Sequence, residues 1–332
     1  MATLLDNNLD PKFRVRDVST SFTYARMEEA PVATMIKKGA KPKSTLYEWP
    51  FKTRHSPSDN AIGENLDVQS GEVINNESNK AMLQGRTQKS RVVIGVDDVA
   101  EELGEEYAVA GGLLADNVKD GVILAKENLE VTILKNGNSQ TYTDSSNPRK
   151  LRGATYFIRS SNAADSDLPI PTIALTPAAN IVSGKAAATN VTEENLLDIL
   201  QSIATTCRAV KNLHVFASAA LRRQISSWLK FVPESSGNVL VRRFNANVSD
   251  KEISMTVERI KCDFGTFFLH THFSLPSGVH ALLLDMDMIS LRPVRAPQVR
   301  PLEYRGGAHL RMIEYINGLE VSNPQAHGKI TT

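Results

Sequence analysis

Between Asp97 and Leu134 the apolar residues Val99, Leu103, Tyr107, Ala110, Leu114, Val118, Val122, Ala125 and Leu129 return at steps of three and four. That period puts them on one stripe of an amphipathic helix. Acidic residues crowd its start, at Asp97, Asp98, Glu101, Glu102, Glu105 and Glu106, where they suit the positive end of the helix dipole. At 1.5 Å per residue such a helix is about 50 Å long, against a usual length of about three turns. Gly111-Gly112 and Gly121 interrupt it, each costing up to about 1 kcal/mol against alanine, so a bend is expected near Gly111 and Gly112. Ahead of the helix, residues 1–45 carry Pro11, Pro31 and Pro42 and show no sustained apolar period, as in an arm that needs another surface to hold it. Residues 46–95 read as a long two-stranded excursion. Tyr47-Glu48-Trp49-Pro50-Phe51 forms one extended run, a polar loop follows, and Arg91-Val92-Val93-Ile94 forms the second.

Beyond the helix, Asn136-Gly137-Asn138 and Ser145-Ser146-Asn147-Pro148 are turn chemistry, and Thr155 to Arg159 reads as a short strand. Pro169, Pro171 and Pro177 mark a boundary near 170. Thr192 is an N-cap candidate for a helix over Glu193 to Ala209, with Leu196, Leu197, Leu200, Ile203, Ala204 and Cys207 on its apolar stripe. Leu213 to Phe216 reads as a buried strand, and Ser218 caps a helix through Leu221, Ile225, Trp228 and Leu229. The last third is strand-rich, over Ile253 to Ile260, Phe264 to His270, Val279 to Asp285 and Met312 to Ile316. Strand and helix do not alternate as a parallel sheet requires, so the expected class is α+β.

The chain has 332 residues, 41% of them hydrophobic, enough for a sizeable core and about two domains by length. Lys and Arg number 38 against 37 Asp and Glu, a net charge of +1, which gives no global field for gripping nucleic acid. No apolar run approaches the roughly 20 residues of a membrane span, and the first residues lack the pattern of a secretory signal; a soluble protein without a membrane partner is expected. Cys207 and Cys262 are too few for a disulfide framework, and both follow apolar positions that suggest burial, which suits a reducing cytoplasm.

Candidate chemistry is sparse. His270 and His272 stand at i, i+2 on a strand and face one side, and Asp285 and Asp287 share that spacing, so the four residues define a metal-dependent enzyme as one reading. The competing reading is an ordinary strand and turn, since no acidic residue follows the histidines closely and no His-Glu-x-x-His helix exists. Nucleophile-elbow and phosphate-loop motifs are absent. Cys207 with His214 has the residue types for thiol catalysis, but the stripe position of the cysteine favours an inert core thiol. Two basic stretches remain, Lys37, Lys38, Lys41 and Lys43 in the arm and Lys80, Arg86, Lys89 and Arg91 in the excursion. Few aromatic residues accompany them, so contact with acidic surfaces of neighbouring chains explains them better than a nucleic-acid platform, and Glu101 and Glu105 offer one such surface.

Several short motifs carry a resemblance. They are Glu48-Trp49 before the polar loop, Gly104-Glu105-Glu106-Tyr107-Ala108, Leu151-Arg152-Gly153, Thr192-Glu193-Glu194-Asn195-Leu196-Leu197, Cys262-Asp263-Phe264-Gly265, Leu283-Leu284-Asp285-Met286-Asp287, Arg305-Gly306-Gly307 and Asn323-Pro324. Together with the order of arm, loop, long helix and α+β lobe, they make the chain similar to the tailed-bacteriophage major capsid (major head) proteins, of the Hong Kong ninety-seven type capsid fold, from about residue 20 onward. Where that family tends to have Gly-Gly after the first helix of the second lobe, this chain has Cys207-Arg208.

The resemblance implies an N-terminal arm over 1–45, an extended loop over 46–95 and a peripheral domain over 96–169 with its spine helix at 97–134. It further implies an axial domain over 170–250 and a β-rich part over 251–332 shared between the two. It implies a structural protein with no catalytic residue, metal or cofactor, assembling as hexamers and pentamers into an icosahedral head around double-stranded DNA held without sequence readout. Copies of the chain are the implied partners, with scaffolding, portal and decoration proteins beside them; the implied place is the virion, after assembly in the host cytoplasm. Lys37, Lys38, Lys41, Glu48, Trp49, Lys80, Arg86, Lys89, Arg91, Glu101 and Glu105 are the expected intersubunit contacts. A head decoration or tail component is the remaining structural alternative.

Overall fold

A computed structural model describes residues 30–57, 59, 61–62, 64, 67, 79–104, 113–162, 168–208, 212–228, 259–262, 264–304 and 306–332. In chain order the elements are α1 (Pro31–Met35), β1 (Lys37–Lys38), β2 (Leu46–Lys52), β3 (Lys80–Asp97), α2 (Asp98–Gly104), α3 (Leu113–Leu134), α4 (Ala154–Phe157), β4 (Ile181–Val182), α5 (Glu193–Cys207), β5 (Leu213–Ala217), α6 (Ala219–Trp228), β6 (Arg259–Cys262), β7 (Gly265–Thr271), β8 (Val279–Asp285), β9 (Ile289–Pro301), β10 (Ala308–Val321) and β11 (Gly328–Thr331). The chain divides into a smaller unit of Met1–Glu28, Arg91–Ala125 and Gln298–Glu314, and a larger one of Glu29–Ser90, Lys126–Pro297 and Tyr315–Thr332. Helices and mixed sheets together make the α+β class expected from the sequence. No helix of the described residues is long and apolar enough to cross a membrane.

The larger unit is built on a six-stranded sheet of order β4-β11-β8-β5-β7-β6. β5 runs parallel to β7 and antiparallel to β8. Both sheet faces are buried, so β5 and β8 read as near-continuous apolar runs. Leu213, Val215 and Ala217 face α5 and α6 in one core cluster with Leu196, Ile199, Leu200 and Ile203. Phe216, Leu282 and Leu284 face the other cluster, with Trp49, Ile133, Leu134 and Phe157. α5 starts where the sequence places it: the Thr192 hydroxyl accepts the Asn195 amide, and Asn195 returns a side-chain oxygen to the Thr192 amide, a reciprocal capping box. Ser218 likewise accepts the Leu221 amide at the start of α6.

The second sheet has the order β1-β9-β10-β3-β2. β2 pairs with β3 from Leu46 opposite Arg86 to Lys52 opposite Lys80. Strict alternation turns Tyr47, Trp49 and Phe51 inward, and Pro50 is tolerated because β2 is an edge strand. The inward aromatics reach across the sheet: the Tyr47 hydroxyl donates to Leu319 O at 2.7 Å and Trp49 Nε1 donates to Val321 O at 3.1 Å. Gly85 and Gly318 make room for this crossing. A Cβ on Gly85 would lie 2.8 Å from the Tyr47 hydroxyl, and one on Gly318 would lie 2.5 Å from it.

Three local expectations change. Thr155 to Arg159 is not a strand: α4 forms there, and the Thr155 hydroxyl donates to Leu134 O at 2.6 Å, closing the last turn of α3. The apolar stripe is also displaced. Val99 and Val122 are exposed, whereas Gly121, Ala125, Glu130, Ile133 and Leu134 are buried, so one glycine and one carboxylate occupy the inner line that the apolar count assigned to valines. The side chain of Leu103, together with Glu105, Tyr107, Ala110, Gly111 and Gly112, lies outside the described residues, and so does the bend. Finally, β9 was unmarked in the sequence because Pro293, Pro297 and Pro301 argue against a strand. Leu291 turns its carbonyl to the Gly39 amide on the β1 side; the three prolines share its parity, so their missing N–H groups face the side where β1 has already ended.

The Tyr47 crossing yields a direct expectation. Gly318→Val should lower stability by about 1–3 kcal/mol through overpacking against the phenol ring, and Gly318→Ala by less. Thermal unfolding followed by circular dichroism checks this, and an unchanged midpoint in both variants would contradict the packing.

Candidate assembly surface

The two histidines and two aspartates of the enzyme reading do not converge. His270 Nε2 lies 2.8 Å from His214 Nδ1, and His214 Nε2 lies 2.9 Å from Asn212 Oδ1. The rings of His214 and His270 stack at 5.0 Å, with Phe268 and Phe216 on either side. Burial lowers the pKa of both histidines. His272 faces elsewhere, buried against Glu130. Asp285 spends an oxygen on the Asp287 amide, and Asp287 pairs with Lys37. Among the described residues no group of three or more His, Cys, Asp or Glu is placed to hold a metal ion. Cys207 is half-buried near the Asn323 amide, and burial pushes its thiol up, away from the reactive thiolate.

What the sequence reading missed is Glu130, fully buried on α3. One carboxylate oxygen accepts the Val32 amide at 3.0 Å and the other accepts the Ala33 amide at 2.6 Å. His272 Nδ1 accepts the Ser274 amide at 3.1 Å, which leaves the ring proton on Nε2, 2.8 Å from Glu130 Oε1. Three donors therefore satisfy a carboxylate that burial alone would expel. A glutamate directly after Leu129 and one turn on from Lys126 carries no mark of burial in the sequence, since its partners lie about 100 and 140 residues away.

The expected intersubunit residues divide. Trp49 is a correction: its ring is 3% exposed and its indole N–H is used within the chain, because β2 alternation turns it inward. Lys37 pairs with Asp287 of its own chain, and Glu101 accepts the Leu114 amide at 3.0 Å. Glu48 accepts from Gln84 across the β2–β3 pair. Lys38, Lys41, Lys80, Lys89 and Arg91 are exposed and Arg86 is half-buried. Glu105, Gly111 and Gly112 lie outside the described residues.

Residues 5–332 match the SU10 major capsid protein family. The chain belongs to that family. Among curated proteins none matches it. Solved structures with the same fold include the capsid of the cyanophage P-SCSP1u (11% identity, TM-score 0.60, 98% of this chain and 96% of that one) and the capsid of an empty GTA particle (11%, 0.60, 97% and 96%). Gordonia phage Cozz gives a further match (14%, 0.55, 96% and 91%). The capsid protein is thus a structural component of a phage head, self-assembling into the shell of the virion, and the metal-dependent enzyme reading is not supported.

Two stability expectations follow from the buried polar groups. Glu130→Ala leaves the Val32 and Ala33 amides and His272 without their acceptor, and should cost about 3–5 kcal/mol, as when one partner of a buried pair is removed; chemical denaturation measures it. His327 is fully buried, with Nδ1 accepting the Asp285 amide at 3.1 Å, and burial holds its pKa down to about 3. The unfolded chain takes up that proton near pH 6.5, so stability should fall as pH drops from about 6.5 towards 3, by up to about 4 kcal/mol from this group. His327→Gln, which keeps an acceptor but does not titrate, should flatten the slope of midpoint against pH over that range.

Proposed function

We propose that this capsid protein assembles as hexamers and pentamers into an icosahedral head that encloses double-stranded DNA. In that reading residues 1–45 are the arm, 46–95 the extended loop and 96–169 the peripheral domain with its spine at 97–134. Residues 170–250 are the axial domain, and 251–332 are shared between the two. The observation that carries the proposal is the exposure of apolar side chains among the described residues of the smaller unit. Among the described residues only Val96, Ala125 and Ile313 are buried large or small apolar side chains there, while Val93, Val99, Val122, Leu124, Val299, Leu302 and Tyr304 are exposed. Exposed apolar side chains of this kind gain from neighbours in a closed symmetric shell, where many modest contacts act together. The GTA capsid, computed with five-fold symmetry, supports the pentameric part.

A net charge of +1 keeps mutual repulsion among many copies small and leaves DNA to be confined, with local phosphate contacts and no base readout. Scaffolding, portal and decoration proteins are the further partners of this reading, and the host cytoplasm is the place of assembly. Electron microscopy of the protein expressed alone and with its scaffold should show shells, sheets or capsomer rings. Persistent monomers under both conditions would overturn the proposal.

A further inference from the structure

Two lysines of the larger unit lie near one another: the Lys135 ammonium and the amide that follows Lys150 share one acceptor, Gln88 Oε1. Lys135 follows α3 directly, and its carbonyl is packed so closely on Gly153 that a Cβ there would sit 1.9 Å away. Lys150 is fixed by a two-way backbone bridge to Gln140, at 3.0 and 3.1 Å. The Lys135 ammonium reaches only Gln88 Oε1, at 3.5 Å, and that oxygen already accepts the Leu151 amide at 3.1 Å. Burial, helped by the neighbouring charge of Lys150, pulls the Lys135 pKa down to about 8. No carboxylate pairs with either lysine among the described residues. The negative end of α3 accounts for one cation beside it; it does not account for a half-buried one with a second cation near enough to lower its pKa. An anion between them would relieve both the desolvation and the repulsion.

Charge is unevenly divided along this chain. The segments Met1–Glu28, Arg91–Ala125 and Gln298–Glu314 hold 9 Lys and Arg against 14 Asp and Glu, a net of −5, which leaves +6 for the remainder of a chain whose total is +1. The acidic excess gathers around α2. There Asp98 takes hydrogen bonds from Tyr304 and pairs with His309, and Glu101 takes the Leu114 amide. Asp97 and Glu102 stand exposed beside them, with Val99 61% exposed. We propose that Lys135 and Lys150 receive the carboxylates at the start of α2 from a neighbouring copy of this chain, a head-to-tail contact between the basic part of one subunit and the acidic part of the next.

This contact rests on the self-assembly reading above. Heterologous contacts of this kind extend from copy to copy and close when the geometry closes. Opposite charge fixes the register of approach and repels the mismatched pairing of like parts. A nucleic-acid backbone is a poorer occupant: it is gripped by rows of cations that track it, whereas two lysines with one half-buried form a discrete seat for one or two carboxylates.

Charge exchange in the full-length protein tests the contact. Lys150→Glu and Glu102→Lys, both at exposed positions, should each raise the protein concentration needed for shell assembly by about tenfold, and the double variant should restore most of the loss. Light scattering and electron microscopy read assembly, and circular dichroism confirms that each variant is folded. Lys135→Gln gives a second route that introduces no repulsion and should weaken assembly more at low salt than at high salt. Singles that assemble like the unsubstituted chain, or a double variant no better than the singles, would overturn the contact. So would shells of Lys150→Glu that form normally but retain less DNA, which would assign the lysines to phosphate. If the unsubstituted chain itself forms no shells, it is the self-assembly reading that fails.

Discussion

A single buried carboxylate organises the larger unit. Glu130 on α3 binds the first amides of α1 and the imidazole of His272 beyond β7, so three stretches remote in sequence meet at one charge. A carboxylate in such a site is tolerated only while hydrogen-bond donors satisfy it, which means that α1, α3 and the end of β7 hold their places jointly. The apolar side chains around it, Val32, Ile36, Ile133 and Leu134, then form one cluster with the inner face of the six-stranded sheet. The segment entering from the N-terminus is therefore anchored from residue 30 onward by chemistry in the middle of the chain.

The two sheets end in ways that suit a protein crowded against many copies of itself. β1 is two residues of lysine, β4 is two residues long, and β2 carries Pro50 on its outward face. Short, charged or proline-bearing edges discourage uncontrolled strand addition between neighbours. The inward aromatics of β2, Tyr47 and Trp49, are consumed by the chain's own core, while the charged residues of the same excursion remain at the surface.

Much of the fold was legible because its signals are local. The Thr192 cap with Asn195 three positions on, the alternation through Tyr47, Trp49 and Phe51, and the apolar runs of β5 and β8 each depend on residues within a turn or a strand. The candidate site was less legible. His270 and His272 are two residues apart, yet β7 ends at Thr271 and their partners, His214 and Glu130, separate them. Trp49 sat in a recognisable motif, and only the register of β2 against β3 and the reach to Val321 showed that it is a core residue.

The sequence by itself determined the class and the family, because periodicity, caps and motif spacing act over a few residues. Only the tertiary structure decided which polar groups are buried. Glu130 at the junction, α4 in place of a strand, the prolines of β9 along an open side, and Lys135 beside Lys150 all follow from which distant segments come into contact. The physical reason is that the cost of burying a charge, or of omitting an amide, is set by partners that packing supplies and local sequence does not name.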